Sequence, residues 1–144
     1  MAVFELQKSL KNNTKTESTK QNIEAEAQAD LARAFPMMVC GEVQTMRLAL
    51  NEARNLNNPQ RAEHIYSRLL PIAMRLKNQG AVFGYPLVTD VASHLYNYIQ
   101  SHKIFNKIEF ESVYNDVLTL QNILWKRISG DGGEEGRRIL SQLI

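Results

Sequence analysis

The stretch PQRAEHIYSRLLPIAMRLKNQGAVFGYPL, residues 59–87, decides the fold of this chain. At about 100° of rotation per helical residue, its apolar and small side chains gather on one side, as expected for a helix that faces a core. These residues are Ile65, Leu69, Ile72, Ala73, Leu76 and Gly80. The outer side carries Met74 one turn from Leu70, where a solvated helix normally places a polar residue. The spacing therefore predicts an amphipathic helix with an exposed methionine.

The rest of the chain also has helical spacing, and no alternating β-branched run lies between turn signals. Helices are predicted at about residues 22–34, 37–54, 86–102, 106–128 and 134–143, besides the one that begins at Pro59. Phe35-Pro36 is expected to separate the first two, because the residue before proline is pushed out of the helical region. Pro71 is expected to kink the central helix, with Gly84 as a left-handed cap and Pro86 opening the next helix. We predict an all-α protein: a four-helix up-down bundle with additional N-terminal and short C-terminal helices.

The chain is predicted to contain one domain, residues 22–144, preceded by a flexible N-terminal segment, residues 1–21. After a short amphipathic pattern, that segment becomes an Asn/Thr/Ser/Lys tract with too few apolar groups to order itself. The alternative is a short docking helix over residues 4–10 that a partner or a neighbouring copy would hold. With 144 residues and 44% hydrophobic content, the chain suits a single core.

Composition excludes several functional classes. A formal net charge of +2 is too balanced for nonspecific nucleic-acid binding. The single cysteine, Cys40, is interpreted as a helix packing position in a reducing cytosol. No apolar run approaches the roughly 20 residues that span a bilayer. No His or Cys spacing is typical of a metal site, and GDGGEEG at residues 130–136 is interpreted as a helix-terminating turn. We expect a cytoplasmic protein with no membrane partner, metal or cofactor.

The segment IAMRLKNQGAVFGYPLV, residues 72–88, resembles the active helix of histidine phosphotransfer (HPt) domains. One branch of that family reads approximately I-A-H-D-I-K-G-Q-G-G-T-F-G-Y-P-L. The matching residues here are Ile72, Ala73, Lys77, Gln79, Gly80, Phe83, Gly84, Tyr85, Pro86 and Leu87. The pair at residues 35–36 and RISGDGGEEGRRIL at 127–140 also look like that branch. The resemblance covers most of residues 23–143 and implies a four-helix bundle of HPt type.

Two departures from the family pattern concern its chemistry. Met74 occupies the phosphohistidine position, and Asn78 replaces the glycine four residues later. The family uses an exposed histidine whose ring nitrogen attacks an aspartyl phosphate on a receiver domain. A thioether has no titratable nitrogen, so residue 74 cannot accept a phosphoryl group. The resemblance thus implies a degenerate HPt domain with no catalytic residue.

The leading hypothesis is a non-enzymatic two-component signalling module that binds a response-regulator receiver, or a related protein, without carrying phosphate. An apolar centre with a polar rim suits such an interface. The predicted partner-binding residues are Leu70, Met74, Arg75, Lys77, Asn78, Gln79 and Ala81.

Two other functions and one other acceptor remain open at this point. A receiver phosphatase would use the amide of Gln79 or Asn78 to orient attacking water. A purely structural or self-associating helical protein is the third possibility, and the oligomeric state is undetermined. His64, His94 and His102 are interpreted as packing or surface residues rather than displaced phosphoacceptors.

Overall fold

The computed structural model describes the backbone of residues 2–143 and the side chains of residues 19–143. Within those residues the regular secondary structure is all helical, with no strand, and the predicted all-α class is confirmed. The five helices are α1 (Ala2–Ala53), α2 (Gln60–Gln79), α3 (Pro86–Ser101), α4 (Lys107–Lys126) and α5 (Gly133–Gln142). The last four begin within one residue of their predicted starts, because proline, asparagine and glycine mark those boundaries in the sequence.

The predicted break at Phe35-Pro36 is wrong, since α1 continues through Pro36. Proline there removes one backbone hydrogen bond, which disfavours a helix but does not forbid it. The aromatic ring of Phe35 is fully buried, and Pro36 is buried as well. Burial of the Phe35 ring stabilises this part of α1 by roughly 2–3 kcal/mol, an amount comparable to the cost of the proline.

By its internal contacts the chain divides into two units, residues 1–34 and residues 35–144. In the first unit, every described side chain from residue 19 to 34 is exposed except Ala32, which is half-buried. Helical spacing places Ile23, Ala27, Leu31 and Ala34 along one side of this part of α1, and all four side chains are exposed. The flexibility of residues 1–21 stays a prediction, and the docking helix over residues 4–10 concerns side chains outside the described residues.

The second unit contains the apolar core. Its α1 part contributes Phe35, Val39, Val43, Met46, Leu50 and Ala53, and α2 contributes the stripe predicted from its spacing. α3 lies between α2 and α4 and also contacts α5. Helical spacing predicts that Ile108 of α4 and Leu140 of α5 face the core, but they are exposed, at 78% and 40%. Ile108 lies in the first turn of α4, and the buried aromatic ring near that end is Phe110.

At one end of the second unit, the guanidinium of Arg61 joins the end of α1 to the segment between α3 and α4. It donates hydrogen bonds to the carbonyl oxygens of Ala53 (3.2 Å) and Arg54 (3.1 Å), where α1 ends. It also donates to the carbonyl oxygen of Phe105 (2.7 Å), in the connection between α3 and α4. Hydrogen bonds from a charged donor are among the stronger ones in proteins. Arg61 thus connects two loops that are distant in the sequence.

No helix in the described part of the chain is both long and apolar enough to cross a membrane.

Candidate partner-binding site

The outer surface of α2 is exposed around Met74. The methionine side chain is 51% exposed, in the last third of the helix, whereas Ile72, Ala73 and Leu76 beside it in sequence are buried. Of the other predicted partner-binding residues, Arg75, Asn78, Gln79 and Ala81 are exposed, and Leu70 and Lys77 are half-buried. Leu70 packs against the core, so only part of its side chain is available to a partner.

The two cations near Met74 both have partners on neighbouring helices. The Lys77 ammonium lies 5.1 Å from the centroid of the Tyr96 ring on α3. A cation over an aromatic face is attracted by the ring quadrupole, typically by about 0.5–1 kcal/mol at an exposed site. The Arg75 guanidinium lies 3.3 Å from the carboxylate of Glu42 on α1. These contacts place positive charge beside Met74 and hold Lys77 toward α3.

Two surface residues near this face were missed by the sequence reasoning. Tyr96 contacts Lys77 from α3, and Val82, next to Ala81, is 65% exposed. Tyr96 lies on a different helix, so no local spacing relates it to Met74. Val82 is separated from the α2 pattern by Gly80, where helical periodicity ends. Together with the predicted residues they form what we call the Met74 face: Leu70, Met74, Arg75, Lys77, Asn78, Gln79, Ala81, Val82 and Tyr96.

The turn that follows α2 is tightly packed at Gly80. A Cβ atom there would lie 2.7 Å from both the backbone nitrogen and the hydroxyl of Thr89, and 2.8 Å from the Tyr85 carbonyl oxygen. The Thr89 hydroxyl accepts a hydrogen bond from the Ala81 N–H at 2.7 Å. The Tyr85 N–H donates to the Gly80 carbonyl oxygen at 2.8 Å. Only glycine allows α2 and the start of α3 to approach this closely.

Aromatic residues fix the rest of the turn. The Phe83 ring stacks on Phe35 with centroids 5.1 Å apart, and Tyr85 lies 5.4 Å from Phe35 on a tilted plane. Burial raises the pKa of the Tyr85 phenol, and the charge of Arg127 opposes that rise.

Gly84 has a φ of +87°, a left-handed conformation that favours glycine. The prediction that it caps α2 is wrong, because α2 ends at Gln79 and its C-cap is Gly80, with a right-handed φ of −52°. Gly84 lies within the turn that leads to α3.

The C-terminal glycine-rich segment packs beside the same turn. The Gly130 N–H donates a 2.9 Å hydrogen bond to the Gly84 carbonyl oxygen. A Cβ atom at Gly132 would lie 2.7 Å from Leu87, the residue that follows Pro86 at the start of α3. Residues that carry the resemblance at 80–87 and at 130–132 therefore touch one another and shape the fold.

Each of the three histidines has a polar neighbour outside the Met74 face. His94 Nδ1 is 2.6 Å from the Asp116 carboxylate on α4, and His64 Nε2 is 3.1 Å from Glu52. His102 Nδ1 is 2.7 Å from the Tyr98 carbonyl oxygen. Burial raises the pKa of Asp116, while the hydrogen bond and charge of His94 act in the opposite direction. Asp116 was not predicted, because two residues on successive helices leave no local sequence pattern.

The interpretation of Cys40 as a packing residue is wrong. Its side chain is exposed, and the thiol donates a weak hydrogen bond of 3.4 Å to the Met37 carbonyl oxygen within the same helix. Among the described residues there is no cluster of His, Cys, Asp and Glu that would hold a metal ion.

Comparisons of this chain with protein-family models, curated proteins and solved structures give no significant match.

The chemistry available on the Met74 face is that of recognition. Methionine and valine offer apolar contact, and Asn78 and Gln79 offer amide donors and acceptors. Lys77 and Arg75 offer positive charge. The face contains no imidazole, thiol or carboxylate, so none of its side chains has the nucleophile that a phosphohistidine relay uses.

Proposed function

We propose that this chain is a non-catalytic two-component signalling module of the HPt type that works in the cytoplasm. It binds a response-regulator receiver domain, or a related signalling protein, through the Met74 face and does not accept a phosphoryl group. Binding of this kind sequesters a receiver or competes with active phosphotransfer proteins for it.

The observation that carries the proposal is the contrast between residue 74 and the motif around it. The side chain at the position that corresponds to the phosphohistidine is exposed in the last third of α2 and is a thioether. The motif residues that match the family at Gly80, Phe83 and Gly84 make the packing contacts of the turn. The scaffold that would present the acceptor is therefore supported by the packing, and the acceptor nitrogen is absent.

The surface suits a protein partner on physical grounds. Interfaces commonly have an apolar centre with a polar rim, and methionine adapts to irregular partner surfaces. Here Met74, Ala81 and Val82 are the apolar groups, and Arg75, Asn78 and Gln79 are the polar ones.

Binding to a panel of receiver domains tests the proposal. Met74→Glu places a carboxylate at the centre of the face, and we expect affinity for the cognate receiver to fall at least about tenfold, as for a central contact. Because Met74 is exposed, the free energy of unfolding should change by no more than about 0.5 kcal/mol. Isothermal titration calorimetry measures the first quantity and urea unfolding the second.

Ile108→Glu is the matched control, since Ile108 is an exposed apolar residue on α4, outside the face. It should bind as the unchanged protein does. Equal loss of affinity in both variants, or none in either, would contradict the assignment of the Met74 face.

Phosphotransfer chemistry gives a second test. Incubated with a receiver that carries a labelled aspartyl phosphate, the protein should neither acquire the label nor speed its loss. Transfer of label would refute the proposal, and faster loss would favour the phosphatase that uses Gln79 or Asn78. Met74→His together with Asn78→Gly should restore partial phosphoacceptance, whereas Asn78→Gly alone should not.

A further inference from the structure

The end of the second unit that contains Arg61 also has a small basic pocket. Three cationic side chains, one aromatic ring and one carboxylate line it: Arg54, Arg61, Lys107, Phe110 and Glu111. We call this the basic pocket. Its volume of about 270 Å³ is just below the range of roughly 300–1,000 Å³ that drug-sized ligands occupy, so it suits a smaller ligand. None of its residues belongs to the Met74 face.

Aromatic rings hold the Arg54 guanidinium in place. It lies 5.5 Å from the centroid of Phe110 and 5.3 Å from that of Tyr114, two rings of α4 that stack on each other. Stacking of this kind orients the planar guanidinium without using its N–H donors. Within the described residues, its side chain forms no hydrogen bond and no ion pair. All of its donors are therefore available to a ligand.

Arg61 and Lys107 add two further positive charges. The Arg61 guanidinium lies 5.8 Å from the centroid of the same Phe110 ring. Three of its N–H donors bind carbonyl oxygens, which are neutral and leave its charge uncompensated. Lys107 is exposed and forms no ion pair with any residue that the structure describes. The basic pocket thus concentrates positive charge around one aromatic ring.

Acidic residues offset only part of this charge. Glu111 lines the basic pocket, and Glu109, the acidic residue in the first turn of α4, does not. Three cations and one carboxylate leave the lining with a net charge of +2. A phosphate monoester carries a charge of about −1.5 to −2 at pH 7 and offers three strong acceptor oxygens. Its charge complements that of the pocket, and its acceptors match the donors of Arg54.

We propose that the basic pocket binds a phosphate group, either as inorganic phosphate or as the monoester of a small molecule. Arg54 donates hydrogen bonds to the phosphate oxygens, and the charges of Arg61 and Lys107 attract them. Arg54 directly follows α1, Arg61 lies in the first turn of α2, and Lys107 is the first residue of α4. A bound phosphate therefore joins three elements and offsets the repulsion between the like charges around Phe110.

Titration calorimetry at constant ionic strength tests the proposal, with inorganic phosphate and glycerol phosphate as the probes. We expect saturable binding of at least one probe and much weaker binding of acetate, which carries a single charge. A difference between the two probes shows whether the free ion or the monoester is preferred. On addition of the tighter probe, backbone amide signals in NMR spectra should shift at residues 54–61 and 107–111.

Three variants test the assignment of the residues. Arg54→Gln removes the charge but keeps the carbonyl oxygen that Arg61 contacts, and it should raise the dissociation constant of the tighter probe at least about tenfold. Arg68→Gln is the matched control, because Arg68 is exposed on α2 and does not line the basic pocket. Glu111→Gln removes the carboxylate of the lining and should lower the dissociation constant by about twofold to fivefold. A variant that fails to fold cannot produce that gain.

Several results would overturn the proposal. One is the absence of binding by both probes at millimolar concentrations, and another is acetate binding as tightly as phosphate. Equal affinities of Arg54→Gln and Arg68→Gln, or amide shifts at the Met74 face instead of at the basic pocket, would overturn it as well. None of these measurements requires a receiver domain, so the result is independent of the proposed function.

Discussion

The turn from Gly80 to Leu87 and the Met74 face are adjacent in sequence but are constrained in different ways. In the turn, Gly80 has no room for a Cβ atom, and the rings of Phe83 and Tyr85 contact Phe35. On the face, Met74 is 51% exposed and Asn78 is exposed. A larger side chain in the turn would displace a neighbouring helix, whereas a larger side chain on the face would extend into solvent.

The difference bears on the proposed function. The residues at 80–87 that carry the proposed resemblance to HPt domains lie in the packed turn, and the two departures from it, Met74 and Asn78, lie on the exposed face. Substitutions at exposed positions usually change the free energy of unfolding by no more than about 0.5 kcal/mol. Changes at residues 74 and 78 should therefore alter recognition more than stability.

The largest effect is expected for Phe35→Ala, which removes the ring that Phe83 and Tyr85 contact. Loss of a fully buried phenylalanine should lower the free energy of unfolding by about 3–5 kcal/mol. Urea unfolding followed by circular dichroism, at one fixed protein concentration, measures this change. Met38→Ala, at a residue that is 58% exposed on the same helix, is the control and should cost no more than about 0.5 kcal/mol. If the two variants are equally stable, the turn is not anchored by α1.

A smaller loss is expected for Gly80→Ala. The new methyl group would meet backbone atoms of Thr89 and Tyr85, which cannot move without separating α2 from α3. We expect a loss of about 1–3 kcal/mol in the free energy of unfolding. Gly41→Ala is the matched control, since nothing lies within 4 Å of the added atom in that helix. Alanine is the better helix former by about 1 kcal/mol, so this variant should be stabilised. The comparison between turn and face breaks down if both substitutions stabilise the protein.

The smallest effect concerns Lys77 and Tyr96. A double-mutant cycle with Lys77→Met and Tyr96→Leu should give a coupling free energy of about 0.5–1 kcal/mol, the typical strength of an exposed cation–π contact. Added salt should reduce it, because the contact is partly screened. Replacing Lys77 with arginine should preserve most of the coupling. A coupling of zero would mean that Lys77 is as unconstrained as the rest of the face.

Much of the fold was predictable because its determinants are local. Pro59 and Pro86 mark the starts of α2 and α3 in the sequence, Gly84 marks the turn between them, and the buried side of α2 agrees with its spacing. The error at Phe35-Pro36 arose because burial of the Phe35 ring offsets the local preference for a break. Cys40 was misplaced because an exposed helix position beside a groove has the same sequence pattern as a packed one.

The face itself was predicted only in part. Met74, Asn78, Gln79 and Ala81 share one helix and one turn, so their exposure follows from periodicity. Tyr96 joins them from α3, and the pairing of His94 with Asp116 joins α3 to α4. Contacts of this kind depend on how helices pack, and a single sequence carries no record of them. The function of the face stays a proposal for the same reason, since recognition depends on a partner surface.

Arg61 restricts motion at the end of the second unit that lies opposite the α2–α3 turn. Its guanidinium donates hydrogen bonds both to the end of α1 and to the segment before α4, so the positions of these two segments are coupled. If one loop moves outward and draws the Arg61 guanidinium with it, the other loop loses its charged hydrogen-bond donor. Motion at that end should therefore be concerted, with both loops opening together or not at all, while the α2–α3 turn stays closed.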